Sequence, residues 1–118
     1  MARHLRLGSR GEDIAAHHLQ RQGLRVLARN WRCDLGELDL ICATPTHLVV
    51  CEVKTRTSTR HGTPTEAVTA TKAHRIRTLT HRWRLDTGHP PTPTRYDVIA
   101  VLIPPHGTPT LHHHRGIL

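Results

Sequence analysis

Three charged residues interrupt two otherwise apolar stretches: Asp39 within GELDLICA (36–43), and Glu52 and Lys54 within HLVVCEVKT (47–55). Both stretches alternate with the period of a strand and are joined by a short turn around Thr44, Pro45 and Thr46, which predicts an antiparallel hairpin. A four-residue turn, Thr44 to His47, sets Asp39 directly opposite Glu52, with Cβ atoms about 4.5–5.5 Å apart, and puts Lys54 on the same face. Two carboxylates so placed repel each other, and burial raises the pKa of at least one. A divalent cation resolves the conflict. Magnesium prefers hard oxygen ligands and typically takes one or two protein carboxylates together with phosphate oxygens and water. Lys54 could then steady an attacking water or the charge building on a phosphate. The alternate face, with Leu38, Leu40, Val49, Cys51 and Val53, reads as core. The competing reading of the same residues is an ion-paired, half-solvated hairpin face, and spacing alone leaves both open.

The elements that must position these groups follow from patterning. In SRGEDIAAHHLQRQG, Ser9 reads as an N-cap, Glu12 as its capping-box partner and Gly23 as the stop of a helix of about 13 residues. Its apolar stripe runs through Ala15, Ala16 and Leu19 and passes Glu12 one turn earlier, so Glu12 leans inward or over an edge. LRVLARNWRC (24–33) reads as a strand preceding the hairpin. A polar loop, TRTSTRHGTP, leads to a second capping box at Thr63, Pro64 and Glu66, opening a helix of about 20 residues. The stripe of that helix is Val68, Ile76, Leu79 and Trp83, and Lys72 falls in its gap, either as a helper at the site or as a snorkelling surface lysine. RYDVIAVLI (95–103) suits the middle of a sheet. The expected order is helix, three strands, helix, strand in one α/β domain over 1–104. Residues 105–118 form a tail that could add an edge strand. The histidines of that tail, His112 to His114, read as polar surface.

Composition narrows the partner. Seventeen Lys and Arg against nine Asp and Glu give a formal charge of +8, and twelve histidines add to it in acid. Basic residues spread along the chain favour nucleic acid over a membrane surface. With Trp31, Trp83 and Tyr96 as the aromatics and no phenylalanine, there is little to stack unpaired bases, which favours duplex or branched DNA read by shape. No long apolar run or signal-peptide pattern is present, so a cytoplasmic protein is expected. Cys33, Cys42 and Cys51 lack the spacing of a zinc ribbon or a disulfide framework.

An acid on the first helix, G-E-L-D-L-I, E-V-K thirteen residues after the aspartate, and a helix with a lysine together resemble the PD-(D/E)xK nuclease superfamily. The closer resemblance is to the YraN-like group of uncharacterised bacterial proteins. It is carried by Gly8, Gly11, Glu12 and Ala15, by Asn30 and Arg32, by Gly36 to Ile41, by Glu52 to Arg56 and by Arg95 to Val98, and spans residues 8 to about 103. The resemblance implies a restriction endonuclease-like core, a mixed sheet with flanking helices. It also implies a metal-dependent DNA endonuclease acting on duplex or Holliday junction-like branched DNA. Asp39, Glu52 and the carbonyl of Val53 would hold Mg²⁺ or Mn²⁺, Lys54 would be the catalytic lysine, and Glu12 and Lys72 would assist. Leu38 stands where the superfamily label has proline. A binding module of the same fold that no longer cuts, and an RNA-processing nuclease, are the rival classes. A homodimer is left open.

Overall fold

The computed structural model describes residues 3–58 and 69–117. The elements are α1 (Arg3–Arg21), β1 (Arg25–Cys33), β2 (Gly36–Ala43), β3 (Leu48–Arg56), α2 (Ala70–Thr87), β4 (Thr94–Leu102) and β5 (Thr110–His114). The five strands form one sheet in chain order. Antiparallel pairing joins β1 to β2, β2 to β3 and β4 to β5, while β3 and β4 run parallel across the α2 crossover. This is a mixed α/β fold, compatible with a restriction endonuclease-like core. Among the described residues no helix is long and apolar enough to cross a membrane.

Each face of the sheet is covered. On one side Ala15, Ala16 and Leu19 of α1 pack on Leu40, Cys42, Val49, Cys51, Ile99 and Val101. On the other, Ile76, Leu79 and Trp83 of α2 pack on Ile41, Leu48 and Val50. The strand alternation therefore buries both parities, which is what a sheet sandwiched between helices requires. The hairpin turn spans Thr44 to His47, with the Thr44 N–H donating to the His47 carbonyl at 2.9 Å. The ladder runs from Ala43↔Leu48 to Leu40↔Cys51, the register read from the sequence.

The expected start of the first helix is wrong. Ser9 lies inside α1, which spans Arg3–Arg21. The additional turns bring the partly buried Leu7 against the core, and this apolar contact, with the added helical hydrogen bonds, outweighs an exposed cap worth about 1 kcal/mol. Gly23, with φ of 90°, ends the helical segment, and the Leu24 N–H returns to the Leu19 carbonyl at 3.0 Å. The expected opening of the second helix at Thr63 to Glu66, and Val68 of its stripe, lie outside the described residues. Within them, Thr69 caps α2, its side chain accepting from the Lys72 N–H.

Leu38 is also misplaced by strict alternation. It packs with Ile41 and Leu48 in the α2-side cluster and not with Leu40. Asn30, across β1, has φ of 51°, in the left-handed region that asparagine tolerates better than most residues. The β1–β2 register passes from Arg29↔Leu40 to Trp31↔Leu38 around it. The pleat skips at this point, Trp31 and Leu38 both turn to the α2 side, and Asp39 sits on the kink.

The histidine tail is a third correction. β5 pairs with β4 at the sheet edge, and the His113 side chain is only 5% exposed. Its Nε2 lies 2.7 Å from Asp97 Oδ2 and its Nδ1 lies 3.1 Å from His18 Nε2 on α1.

Candidate active site

Past Leu40↔Cys51 the β2–β3 ladder stops, and the two strands are joined instead through a side chain. The Val53 N–H donates to Asp39 Oδ2 at 2.8 Å. The carboxylate thus stands in the fork between the strands, where sheet geometry alone would leave an unpaired amide. Asp39 is pushed up from 3.8 to about 7, first by burial and then by the charge of Glu52, with Glu12 and Glu37 adding smaller contributions. The Val53 hydrogen bond works against this rise.

Glu12 reaches the fork because α1 comes unusually close to β3. Gly11 is buried against Thr55, and a Cβ at position 11 would collide with the threonine hydroxyl. Since Ser9 is helical, Glu12 is no capping partner; it faces the sheet. Carboxylate oxygens of Glu12, Glu37 and Asp39 all lie within 4.8 Å of one another. Glu37 is the acid that motif reading passed over. Its signal is its position two residues before Asp39 on the same strand, and its present partner is Arg32, at 2.6 Å.

Glu52 is turned to a different set of partners. Its Oε1 lies 3.3 Å from Lys54 Nζ and 3.0 Å from Lys72 Nζ, and all three side chains are less than 20% exposed. Lys72 is fixed in the first turn of α2 by the Thr69 cap. Burial holds the Lys54 ammonium below the usual lysine range, and its contact with Lys72 adds to this against the opposing pull of Glu52. Burial also opposes the charge on Lys72, but hydrogen bonds to Lys54 and Glu52 outweigh it and leave Lys72 raised.

The structure therefore brings Glu12, Asp39, Glu52, Lys54 and Lys72 into one neighbourhood divided in two. One half is three carboxylates around Asp39; the other is Glu52 clasped by two lysines. The Val53 amide belongs to the site through Asp39. Hard oxygen donors crowded together are the donor set that suits Mg²⁺ or Mn²⁺, and Asp39 with Glu12 and Glu37 supplies it. Glu52 acts on Asp39 through its charge.

A second cluster, Cys51, Asp97 and His113, also brings potential ligand atoms within 4.8 Å. Asp97 is fully buried, yet its oxygens accept from the Arg95 guanidinium, the Gly116 N–H and His113 at 2.7–3.3 Å. Burial alone would raise Asp97, but these donors outweigh it and hold the carboxyl below its usual range. That network is saturated and structural: it ties β4, β5 and α1 together.

Comparison with known proteins agrees with the motif reading. A UPF0102 protein of Nocardioides sp. is 49% identical over 111 residues, covering 94% of this chain and 90% of its own. One from Frankia alni is 48% identical over 110 residues, covering 93% and 92%. One from Renibacterium salmoninarum is 45% identical over 113 residues, covering 96% of each. Residues 11–101, which hold the whole candidate site, match the model of the uncharacterised protein family UPF0102. With that match and relatives of this similarity along nearly the full length, the chain belongs to UPF0102, the YraN-like group that its motifs resemble.

Proposed function

We propose that the protein is a metal-dependent DNA endonuclease that works in the cytoplasm on duplex or branched DNA, with residues 1–104 as its catalytic unit. The observation that carries this reading is the convergence of Glu12, Glu37 and Asp39 in the β2–β3 fork beside a glutamate clasped by two half-buried lysines. Charge crowding of this kind costs stability in the absence of a cation, and functional sites are where such perturbed groups cluster. Asp39, Glu12 and Glu37 would hold Mg²⁺ or Mn²⁺, with Glu52 beside them on its two lysines, and the Val53 carbonyl remains a further candidate ligand. When bound, the ion supplies polarisation of the phosphodiester and a lowered pKa for the attacking water.

The chain's own groups do the rest. The Val53 N–H fixes the Asp39 carboxylate and so orients it toward the fork. Lys54, held below the ordinary lysine range, releases a proton more readily than a surface lysine and can hydrogen-bond an attacking water. Lys72 keeps positive charge close to Glu52, where the phosphate's developing charge would otherwise face a bare carboxylate. Trp83 is buried, and Trp31 and Tyr96 pack on the same cluster, so the aromatics serve the core. That leaves the many Arg and Lys to bind phosphates, which suits recognition by shape.

The experiment is a cleavage panel of linear, nicked, flapped and four-way DNA, with duplex RNA as competitor, in chelator and in Mg²⁺ or Mn²⁺. Cleavage that requires the metal and is lost in Asp39→Asn supports the reading. DNA binding with no cleavage of any substrate in either metal overturns it in favour of a binding module.

A further inference from the structure

Among the described residues a cavity lies away from the carboxylates, at the carboxyl ends of the two parallel strands. It measures about 730 Å³ and is bounded by Arg6, Leu7 and Arg10 of α1, by Thr57 just after β3, and by Ile103 to Pro105 just after β4. In open α/β sheets the carboxyl ends of parallel strands are where ligands settle, and this volume falls within the range of about 300–1,000 Å³ that holds small organic ligands. Its chemistry is two-sided. Arg6 and Arg10 are one helical turn apart on the same face, and among the described residues that line the cavity none is acidic. Leucine, isoleucine and two prolines supply an apolar surface opposite. A ligand with a phosphate at one end and a flat apolar body at the other matches both halves, and a nucleotide is the ligand of that description that a basic, nucleic-acid-binding chain would meet.

Position along β3 narrows the choice. Thr57 continues the row of Val53 and Thr55, the residues that cap Asp39 and contact Gly11. Four residues of strand separate Val53 from Thr57, about 13 Å, a span that a nucleic-acid strand of two or so extended nucleotides covers. Arg10 lies two residues before Glu12 on the same helix, so cavity and carboxylate fork are neighbours along both α1 and β3.

We propose that this cleft takes one unpaired nucleotide of the substrate strand, with Arg6 and Arg10 on its phosphate and the Ile103–Pro105 side against its base. The assignment rests on the nuclease reading for where the strand goes, and it makes the preferred substrate one with an unpaired arm next to the cut. A smooth duplex cannot turn a single base out into a cleft without opening, whereas a flap or overhang offers the base at no such cost.

The test is binding in chelator, which needs no cleavage. Fluorescence anisotropy compares a blunt hairpin duplex with the same duplex carrying a three-nucleotide 5′ or 3′ overhang, and deoxynucleoside monophosphate is added as competitor. The expected result is that one overhang binds about tenfold tighter than the blunt end. In Arg6→Ala/Arg10→Ala that ratio falls to about one. Thr57→Glu, which places a carboxylate at the exposed rim of the cleft, should do the same. Thr46→Glu, with the same added charge in the hairpin turn at the far end of β3, keeps the tenfold ratio. Equal binding of blunt and overhang DNA by the parent overturns the proposal, as does an equal effect of the two glutamates. Displacement by free nucleotide, with no gain from any overhang, would make the cleft a nucleotide site instead and overturns it too. A preserved overhang preference with no cleavage in Mg²⁺ or Mn²⁺ removes the nuclease reading and leaves the cleft standing.

Discussion

Replacing Asp39 by Asn should stabilise the metal-free protein at alkaline pH, and the size of the gain follows from the site. The carboxyl is raised from 3.8 to about 7, and at about 1.36 kcal/mol for each tenfold change in proton affinity the ionised form is disfavoured by roughly 4 kcal/mol. Solvent reaches part of this side chain, and relaxation of Glu12 and Glu37 relieves some of the repulsion. A gain of about 1–2 kcal/mol at pH 8 is therefore expected, or about 4–8 °C in melting temperature for a domain of this size. The sign is set by linkage. A carboxyl whose folded pKa lies above its unfolded value contributes stability that is complete below pH 4 and is lost as pH rises through about 7. The Asn variant lacks this loss, so its advantage should be present at pH 8 and shrink toward nothing by pH 4–5. Its amide oxygen can still accept the Val53 N–H, so the fork stays closed. Mg²⁺ at ten times its dissociation constant should then stabilise the parent by about 1.4 kcal/mol at pH 8 and the variant by much less. Thermal melts in chelator and in Mg²⁺ at the two pH values decide it. A variant no more stable than the parent at pH 8, or one with the same advantage at pH 4.5, refutes the account of Asp39.

Glu52→Gln should behave in the opposite sense in chelator, because it leaves Lys54 and Lys72 facing each other without their shared carboxylate; urea melts at pH 7 should show a cost of about 1–2 kcal/mol. Gly11→Ala should lift α1 from β3 through its clash with Thr55 and cost about 1–3 kcal/mol, with recovery when Thr55 is also replaced by Gly; a neutral single variant would contradict the close approach. His113→Ala should cost about 2–4 kcal/mol, since it empties a packed position and removes a donor from buried Asp97, and hydrogen exchange should accelerate in β5 before β1. The His18 and His113 ring nitrogens face each other at 3.1 Å, and burial with His113 nearby lowers His18. The unfolded chain then binds protons that the folded one resists, so stability falls as pH drops below about 6.5. Measured in the Asp39→Asn background, which removes the opposing titration, His18→Ala should flatten that acid loss.

The strands, their hairpin and the register that brings the charge of Glu52 near Asp39 were legible because they depend on near neighbours. Period-two alternation, a four-residue turn and a register counted from it need no knowledge of the rest of the chain, and β2 and β3 lie where those patterns place them. The family's motifs also fall within that local range. Tertiary structure decided how the acids are shared out. Asn30 adopts a left-handed backbone across the sheet, turns Leu38 to the α2 side and leaves Asp39 on a kink, and no pattern within GELDLICA records a conformation in the preceding strand. Close approach at Gly11 then delivers Glu12 and groups it with Glu37 and Asp39, while Lys72 arrives from α2 to draw Glu52 aside. The same limit explains Ser9 and His113. A serine three residues before a glutamate is a good local cap, and a run of histidines near a chain end is locally polar. What overrode them was Leu7 packing on the core and His113 meeting Asp97 and His18, a partner 95 residues away. Burial against distant partners supplies more free energy than a local cap or the solvation of an imidazole, and only the folded chain states which partners those are.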